Sequence, residues 1–404
     1  MASGGWAETK AAYRLLDNSA LEWREILEVH TQQTRARMAG QPVVLCIQDS
    51  TELDFTTPPG MVGLGRLSYE AQHGMYVHPT LVVTPPGAAL GVIDAWMWAR
   101  APKGKAPVKE SVRWLEGYGI VADLAEMTPG TRFVYIADRE GDLRALMDVA
   151  ARQGTPADWL IRAQHERKTA VGDRLWAGLG TSEPLGEIEF PRPAAPGRPS
   201  RWVRQTLYLQ QVTLPARKGA PAVLITALLA REEHPPAGEK AIEWRLLTNR
   251  PATTLEAAVE LIEWYRRRWL VEIFFRILKS GCRVEALQLS TLERLERALV
   301  IYLIIAWRIL QLVTWGRDCP DLPCEVVFDP QEWQAAWLVA KRCPPPETSP
   351  KLSEMVRLIA GVGGFLGRKR DGHPGPKTLW IGLQRVREFA IGIAVAKAVF
   401  IPTG

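Results

Sequence analysis

One stretch of the sequence places a phenol, a carboxylate and several cations at helical spacing. Tyr265, Arg268, Glu272 and Lys279 fall within about a 60° arc of a helix at roughly 100° per residue, and Arg276 lies on the flank of this stripe. Charged helix faces are usually solvated, with Arg268 and Glu272 as an ordinary ion pair. Here apolar residues fill much of the remaining circumference, so the pattern favours a buried helix whose polar stripe faces a cleft.

Two aspartates could complete a site with this glutamate. Asp49 and Asp138 each follow an apolar, strand-like run directly. Such aspartates are common as turn formers and helix caps, but an α/β fold can bring two of them to one sheet edge. Three carboxylates held close together raise one another's pKa unless cations neutralise them. Oxygen ligands favour Mg²⁺ or Mn²⁺, so these residues predict metal-assisted phosphoryl transfer.

Alternating helices and apolar strands surround these residues and predict an α/β fold. Predicted helices span 9–38, 110–124 and 143–153, and predicted strands span 43–47, 76–83, 91–98, 132–137 and 159–162. From about 185 to 249 the β runs are punctuated by Pro and Gly, which predicts an antiparallel β insertion. One long helix from Thr254 to about Ser280 is expected to carry the polar stripe, followed by a second long helix at 292–315 and a helical C-terminal region.

Composition narrows the class of protein. The chain has 404 residues, with 50 Lys and Arg against 44 Asp and Glu, for a net charge of +6. Its length predicts two or three domains. The longest apolar stretch, Ala298–Trp307, is about half of the roughly 20 residues that span a bilayer, so no membrane span is expected. Five cysteines are too few for a disulfide scaffold. No secretory signal is visible, and a cytoplasmic location is expected.

Three motifs resemble a known enzyme family. Residues 47–51 and 136–142, together with the spacing Tyr265-x2-Arg268-x3-Glu272-x6-Lys279, are similar to the three acidic motifs of DDE transposases. The last motif matches the Tyr-Arg-Glu-Lys signature of insertion-sequence family four, the group of the transposon-five transposase. The resemblance extends over nearly the whole chain.

This resemblance implies a ribonuclease-H-like mixed-sheet core, interrupted by an antiparallel β insertion just before the glutamate helix, and a helical C-terminal region. The implied segments are N-terminal helices at 1–40, the first part of the core at 41–184, the insertion at 185–249, the catalytic helix at 250–290 and a dimerisation region at 291–404.

The resemblance also assigns roles to individual residues. Asp49, Asp138 and Glu272 are expected to be catalytic and to bind two Mg²⁺ or Mn²⁺ ions. The expected nucleic-acid contacts are Arg139, Arg162, Trp244, Tyr265, Arg268, Arg276 and Lys279. Trp244 is expected to stack on a base flipped out of the transposon end, because stacking can offset the cost of flipping. Its place in an apolar run equally suits a core residue.

The function implied is that of a DNA transposase, which cleaves transposon ends and transfers the 3′-hydroxyl into target DNA. Its expected partners are double-stranded DNA and a second copy of the chain, with no membrane, at the bacterial nucleoid. A first alternative is a dimerising inhibitor, because an end-recognition segment found before Gly5 to Tyr13 in relatives is expected to be missing. A second is a carboxylate hydrolase such as a glycosidase, for which two acids suffice.

Overall fold

A mixed β-sheet with helices on both faces lies at the centre of the chain. The computed structural model describes residues 5–57, 60–101, 109–192, 194 and 199–400. The strands are β1 Val43–Gln48, β2 Thr51–Asp54, β3 Gly65–Arg66, β4 His73–Val83, β5 Ala89–Trp98, β6 Arg132–Ala137, β7 Asp158–Arg162, β8 Gly186–Arg192, β9 Arg201–Leu214, β10 Val223–Arg231 and β11 Glu243–Thr248. The helices are α1 Trp6–Asp17, α2 Trp23–Met38, α3 Val112–Met127, α4 Arg144–Arg152, α5 Leu175–Leu179, α6 Leu255–Arg266, α7 Trp269–Arg276, α8 Leu292–Asp318, α9 Pro330–Lys341, α10 Leu352–Val362 and α11 Pro376–Phe400.

Five strands form the ribonuclease-H-like core. Their order across the sheet is β5-β4-β1-β6-β7. Strand β4 pairs antiparallel with both β1 and β5. Strand β6 lies parallel to β1, and β7 lies parallel to β6. The helix α3 makes the crossover between the antiparallel and parallel halves. The predicted ribonuclease-H-like mixed sheet is therefore confirmed.

The β insertion continues this sheet instead of building a separate layer. Strand β11 pairs antiparallel with β7 through Leu246 and Arg162. Beyond it the order continues β10-β9-β8, all antiparallel. Catalytic core and insertion thus share one network of backbone hydrogen bonds.

Strand periodicity separates two hydrophobic cores. Ile47 and Ile136 belong to the core on one face of the sheet, which we call the front face, where α2, α6, α7 and α8 pack. Cys46 and Tyr135 belong to the core on the other, the back face, where α3 and α4 pack. Because successive side chains of a strand point to opposite faces, the position of each residue in its strand decides which core it enters.

The prediction of one continuous helix from Thr254 to Ser280 is wrong. Thr254 does cap the helix, accepting from the Ala257 amide, but α6 ends at Arg266 and α7 begins at Trp269. Between them the amides of Arg267 and Arg268 donate to carbonyls three residues back, which tightens the turn. At its end α7 widens into a π-turn, Ile277–Gly281. The polar stripe therefore extends over α6, α7 and the π-turn that follows, instead of lying on one continuous helix.

Helix α8 is longer than the apolar stretch recognised in the sequence. By length and composition it is apolar enough to cross a membrane, contrary to the expectation that no segment qualifies, and 61% of its most apolar window is buried inside the protein. Its end packs with α9, α10 and α11 around Leu312 and Phe328 in a third core.

Candidate active site

The two aspartates follow neighbouring parallel strands at the same position. Ile47 pairs with Ile136 in the β1–β6 ladder. Extending that register by two residues sets Asp49 beside Asp138, on strands about 5 Å apart. Both continue the alternation of Ile47 and Ile136, so both belong to the front face, against which α7 packs. The fold thus brings the two aspartates and the glutamate helix to one sheet edge.

Arg268 joins two of the three carboxylates. Its Nη1 donates to Asp49 Oδ2 at 2.6 Å and its Nη2 donates to Glu272 Oε1 at 2.8 Å. The side chains of Arg268 and Asp49 are 13% and 18% exposed, whereas that of Glu272 is 36% exposed. A guanidinium with two such bonds is held in a fixed orientation. Arg268 therefore compensates part of the negative charge of the site.

The carboxyl group of Asp49 is strongly affected by its surroundings. Burial raises its pKa to about 6; Arg268 partly offsets this, and the negative charges of Asp138 and Glu272 raise the pKa further. The backbone amide of Ser50 donates to Asp49 Oδ1 at 2.9 Å. The negative charges of Asp138 and Glu272 are therefore close enough to act on Asp49, as is expected for a shared cation site.

Asp138 is fixed by the turn that follows β6. Its Oδ1 accepts from the amide of Glu140 at 2.9 Å, and so caps the short helical turn Arg139–Gly141. A side chain at Gly141 would approach Ala137 Cβ to 2.5 Å, so this tight turn needs glycine. The second oxygen of Asp138 has no protein hydrogen bond among the described residues.

The prediction of a metal site is supported by the chemistry of the donor residues, and not by a ready arrangement of their side chains around an ion. Within the described ranges, no three His, Cys, Asp or Glu side chains are arranged to hold a metal ion. Arg268 accounts for this, because its guanidinium bridges the oxygens of Asp49 and Glu272. The donor set, three carboxylates and no sulfur or imidazole, suits Mg²⁺ or Mn²⁺ once Arg268 turns aside.

A cavity of about 460 Å³ opens next to these carboxylates. Its walls include Arg162 from β7, Trp244 from β11, and Tyr265, Arg268 and Trp269 from the helices. This volume is in the range of small-molecule pockets. With Arg266 and Arg267 also in its lining, the cavity combines aromatic surfaces with four arginines and one acidic residue, Glu263.

Tyr265 and Trp244 form the floor of this cavity. Tyr265 is buried, and its Oη has no hydrogen bond of good geometry to the described residues. Burial raises the pKa of Tyr265, and the nearby guanidinium groups of Arg268 and Arg162 partly offset that rise. Trp244 is half-buried, stacked on Phe190 at 6.2 Å and edge-on to Tyr265 at 6.3 Å between ring centroids. It thus packs as a core residue does while lining the cavity.

The remaining predicted DNA contacts lie around this centre. Arg139 and Arg276 are exposed and form no ion pair among the described residues. Lys279 is half-buried, with its Nζ 3.9 Å from Glu285 Oε1. Of these three cations, Arg139 and Arg276 thus lack an ion pair among the described residues, whereas Lys279 is paired with Glu285.

A buried polar network behind Asp49 was missed from the sequence. Gln48, which faces the back, donates to Thr80 Oγ1 at 2.7 Å and accepts from Tyr135 Oη at 2.8 Å. His78 Nε2 lies 3.2 Å from Gln48 Oε1, and its Nδ1 lies 2.9 Å from Ser50 Oγ. Burial lowers the pKa of His78, so the ring is neutral. A polar residue inside an apolar strand was the signal, since buried polar groups require partners.

The described arginines of the segment 192–204 form ion pairs within the protein. Arg192 pairs with Glu239, Arg201 pairs with Glu232 and Arg204 pairs with Glu189. Residues 193 and 195–198 of this segment lie outside the described residues. The arginines at its ends stabilise the outer strands instead of forming a free cationic surface.

Two family models match this chain. Residues 122–308 match the transposase DDE domain, and residues 304–403 match the dimerisation domain of transposase Tn5. The first match contains Asp138 and Glu272 but not Asp49, whose place beside them is supported by the strand register.

A solved piggyBac transposase synaptic complex with hairpin DNA is a distant structural neighbour. It is 10% identical in sequence, with a TM-score of 0.37 over 89% of this chain. The chain spans 55% of the length of that transposase.

Proposed function

Because this chain belongs to the Tn5-like DDE transposases, we propose that it cleaves DNA at the ends of a mobile element and joins the freed 3′-hydroxyl to target DNA. The observation that carries the proposal is geometric: Arg268 bridges Asp49 and Glu272, and the β1–β6 register sets Asp138 beside Asp49 on the same face of the sheet. Repulsion between carboxylates placed so close together raises the free energy of the folded protein. Metal-assisted phosphoryl transfer is a reaction that requires such a group of carboxylates.

Asp49, Asp138 and Glu272 are the residues that would hold two divalent ions. When bound, Mg²⁺ or Mn²⁺ supplies charge stabilisation at the reacting phosphate and makes water or a hydroxyl a better nucleophile. To leave these oxygens free for the ions, Arg268 would have to release Asp49, Glu272 or both. The freed guanidinium is then positioned to bind a phosphate oxygen, for which its planar fork is well suited.

The aromatic cavity supports a second role in handling DNA. Trp244 presents a ring beside Arg162 and Tyr265, and an aromatic platform of this kind can stack on an unpaired base. Unpairing a base costs a few kcal/mol, which stacking of roughly 1–3 kcal/mol per base can offset. We place the displaced base of a cleaved end in this cavity.

The C-terminal region supports an assembly of two copies. Residues 304–403 match a dimerisation domain, and α11 exposes Ile391, Val395 and Val399. These residues recur every four positions and form one apolar stripe. Two copies would hold two element ends together.

Strand cleavage by purified protein tests the proposal. The substrate is a duplex carrying the terminal inverted repeat of the DNA element that encodes the chain, with Mg²⁺ or Mn²⁺. We expect the wild type to nick this duplex and Glu272→Gln to lose at least about 10³-fold in rate, as for removal of a major electrostatic group. Glu354→Gln, in a surface pair with Lys341, is the matched control and should be fully active.

Three results contradict the proposal. Equal nicking by Glu272→Gln removes this residue from the reaction. Binding to a longer relative without any nicking by the wild type favours the dimerising inhibitor. Metal-independent sugar hydrolysis favours the carboxylate hydrolase.

A further inference from the structure

A second basic pocket lies where the glutamate helix meets the C-terminal region. It has a volume of about 440 Å³ and is lined by Lys279, Arg283 and Lys377, with Glu285 as its acidic member. Lys279 lies in the π-turn that ends α7, and Lys377 lies in the first turn of α11. The lining carries three positive charges against one negative, a net charge of +2.

Two of these three cations have no partner among the residues that the structure describes. Arg283 and Lys377 are exposed, and neither side chain forms a hydrogen bond or an ion pair within the part of the chain that is described. Glu285, by contrast, is engaged: its Oε1 accepts from the backbone amide of Asp54 at 3.0 Å and lies 3.9 Å from Lys279 Nζ. The pocket therefore offers uncompensated positive charge.

The backbone at Arg283 holds its side chain at this place. Arg283 has a left-handed conformation, with φ 56° and ψ 45°, which is unfavourable for a residue with a Cβ. The neighbouring Cys282 amide closes the π-turn by donating to the Ile277 carbonyl at 2.7 Å. A Cβ at Gly281 would lie 3.6 Å from Pro376 Cβ, so the turn packs closely against the start of α11.

The pocket lies at a useful distance from the carboxylates. Lys279 follows Glu272 by seven residues, which corresponds to about 10 Å along a helix. Phosphates of one DNA strand advance about 3.4 Å along the duplex axis. A strand lying over Glu272 would therefore bring a phosphate to the pocket roughly three nucleotides away.

We propose that Lys279, Arg283 and Lys377 bind one backbone phosphate of the DNA, so that a single phosphate joins the catalytic helix to α11. This inference depends on DNA being the substrate, as proposed above. It adds Arg283 and Lys377 as contacts and makes the junction between core and C-terminal region a part of the DNA-binding surface.

Salt-dependent binding of duplex DNA tests this inference. The variants are Arg283→Ala, Lys377→Ala, the double variant and the charge-preserving Arg283→Lys. We expect the double variant to bind roughly tenfold more weakly and its dependence of log Kd on log salt to fall by about one. Because both cations hold the same phosphate, the double loss should be smaller than the product of the single losses. Arg283→Lys should retain the wild-type slope.

Arg342→Ala is the matched control. Arg342 is exposed, has nearly the same backbone conformation, φ 56° and ψ 33°, and lies at the end of α9 outside this pocket. An unchanged dependence of log Kd on log salt in the double variant, or an equal change in Arg342→Ala, overturns the inference. If the wild type still nicks the duplex in that case, the proposed function stands. A wild type that neither binds nor nicks the duplex overturns both. Unchanged melting temperatures establish that the variants are folded.

Discussion

At the residue scale, Arg268 does for this site what a metal ion does elsewhere. Its two nitrogens bind Asp49 and Glu272 and so neutralise charges that would otherwise repel. The compensation is incomplete, because the pKa of Asp49 is still raised to about 6, chiefly by burial. An ionised Asp49 therefore lowers the stability of the folded protein in the absence of a divalent ion.

This imbalance predicts a pH-dependent stability. The pKa of Asp49 is 3.8 without perturbation and about 6 in the fold, so the stability gained from its protonated form is present below pH 3.8 and is lost as pH rises through about 6. Each pKa unit corresponds to about 1.4 kcal/mol, so the loss is about 3 kcal/mol. We expect Asp49→Asn to gain stability relative to the wild type over this window, measured by urea unfolding without metal.

Asp123→Asn provides the control for this comparison, since Asp123 is exposed on α3. Its stability should follow that of the wild type at every pH. Mg²⁺ should recover part of the wild-type loss above pH 6 and none in Asp49→Asn. A difference between wild type and Asp49→Asn that is independent of pH would contradict the burial of this carboxylate.

At the element scale, β1 supports the site from both of its faces. Asp49 continues its front face, whereas Gln48 anchors the back face to β4 and β6. Helix α3 closes over this anchor at Gly117, where a Cβ would lie 1.8 Å from Gln48 Nε2. The absence of a side chain at Gly117 is therefore a packing requirement.

Two glycines of α3 make this requirement testable. Alanine is favoured over glycine in a helix interior by about 1 kcal/mol. A Cβ at Gly119 would meet nothing within 4 Å, so Gly119→Ala should be neutral or stabilising. Gly117→Ala should instead cost about 2 kcal/mol or more, because the new methyl displaces the Gln48 amide. Chemical denaturation gives the free energy of unfolding of both variants. Equal values would show that the Gln48 network rearranges around the new methyl group without a loss of stability.

Local patterns were sufficient for the long elements but not for the short elements β2, β3 and α5, nor for the junctions between helices. Apolar runs predicted the core strands, since β-branched residues bounded by polar turns identify strands without long-range information. The end of α6 at Arg266 could not be predicted, because helix-forming residues continue past it and the change is one of hydrogen-bond spacing. The bridge from Arg268 to Asp49 joins residues 219 apart in the chain, a separation that no local pattern encodes.

At the scale of the whole molecule, α11 leaves an apolar stripe uncovered. Ile391, Val395 and Val399 are 51%, 57% and 64% exposed. Burying such side chains against a second copy yields roughly 1.5–3 kcal/mol for each one fully buried. Ile391→Glu and Val395→Glu should therefore weaken self-association at least tenfold, measured by analytical ultracentrifugation with and without DNA.

Lys397→Glu adds negative charge to α11 away from this stripe and should leave self-association unchanged. Nicking at a single end should persist in all three variants, whereas products that join two ends should disappear in the first two. Wild-type levels of association in Ile391→Glu would exclude this stripe as the contact surface.

The pairing of β11 with β7 also fixes the distance between Asp138 and Trp244. Asp138, Arg162 and Trp244 belong to or directly follow three consecutive strands, β6, β7 and β11, so Asp138 and Trp244 are about two strand spacings, roughly 10 Å, apart. Changing that separation would require breaking a ladder of backbone hydrogen bonds. In the proposed complex with DNA, the distortion needed to fit both places at once would therefore fall on the DNA, which bends more readily than the sheet.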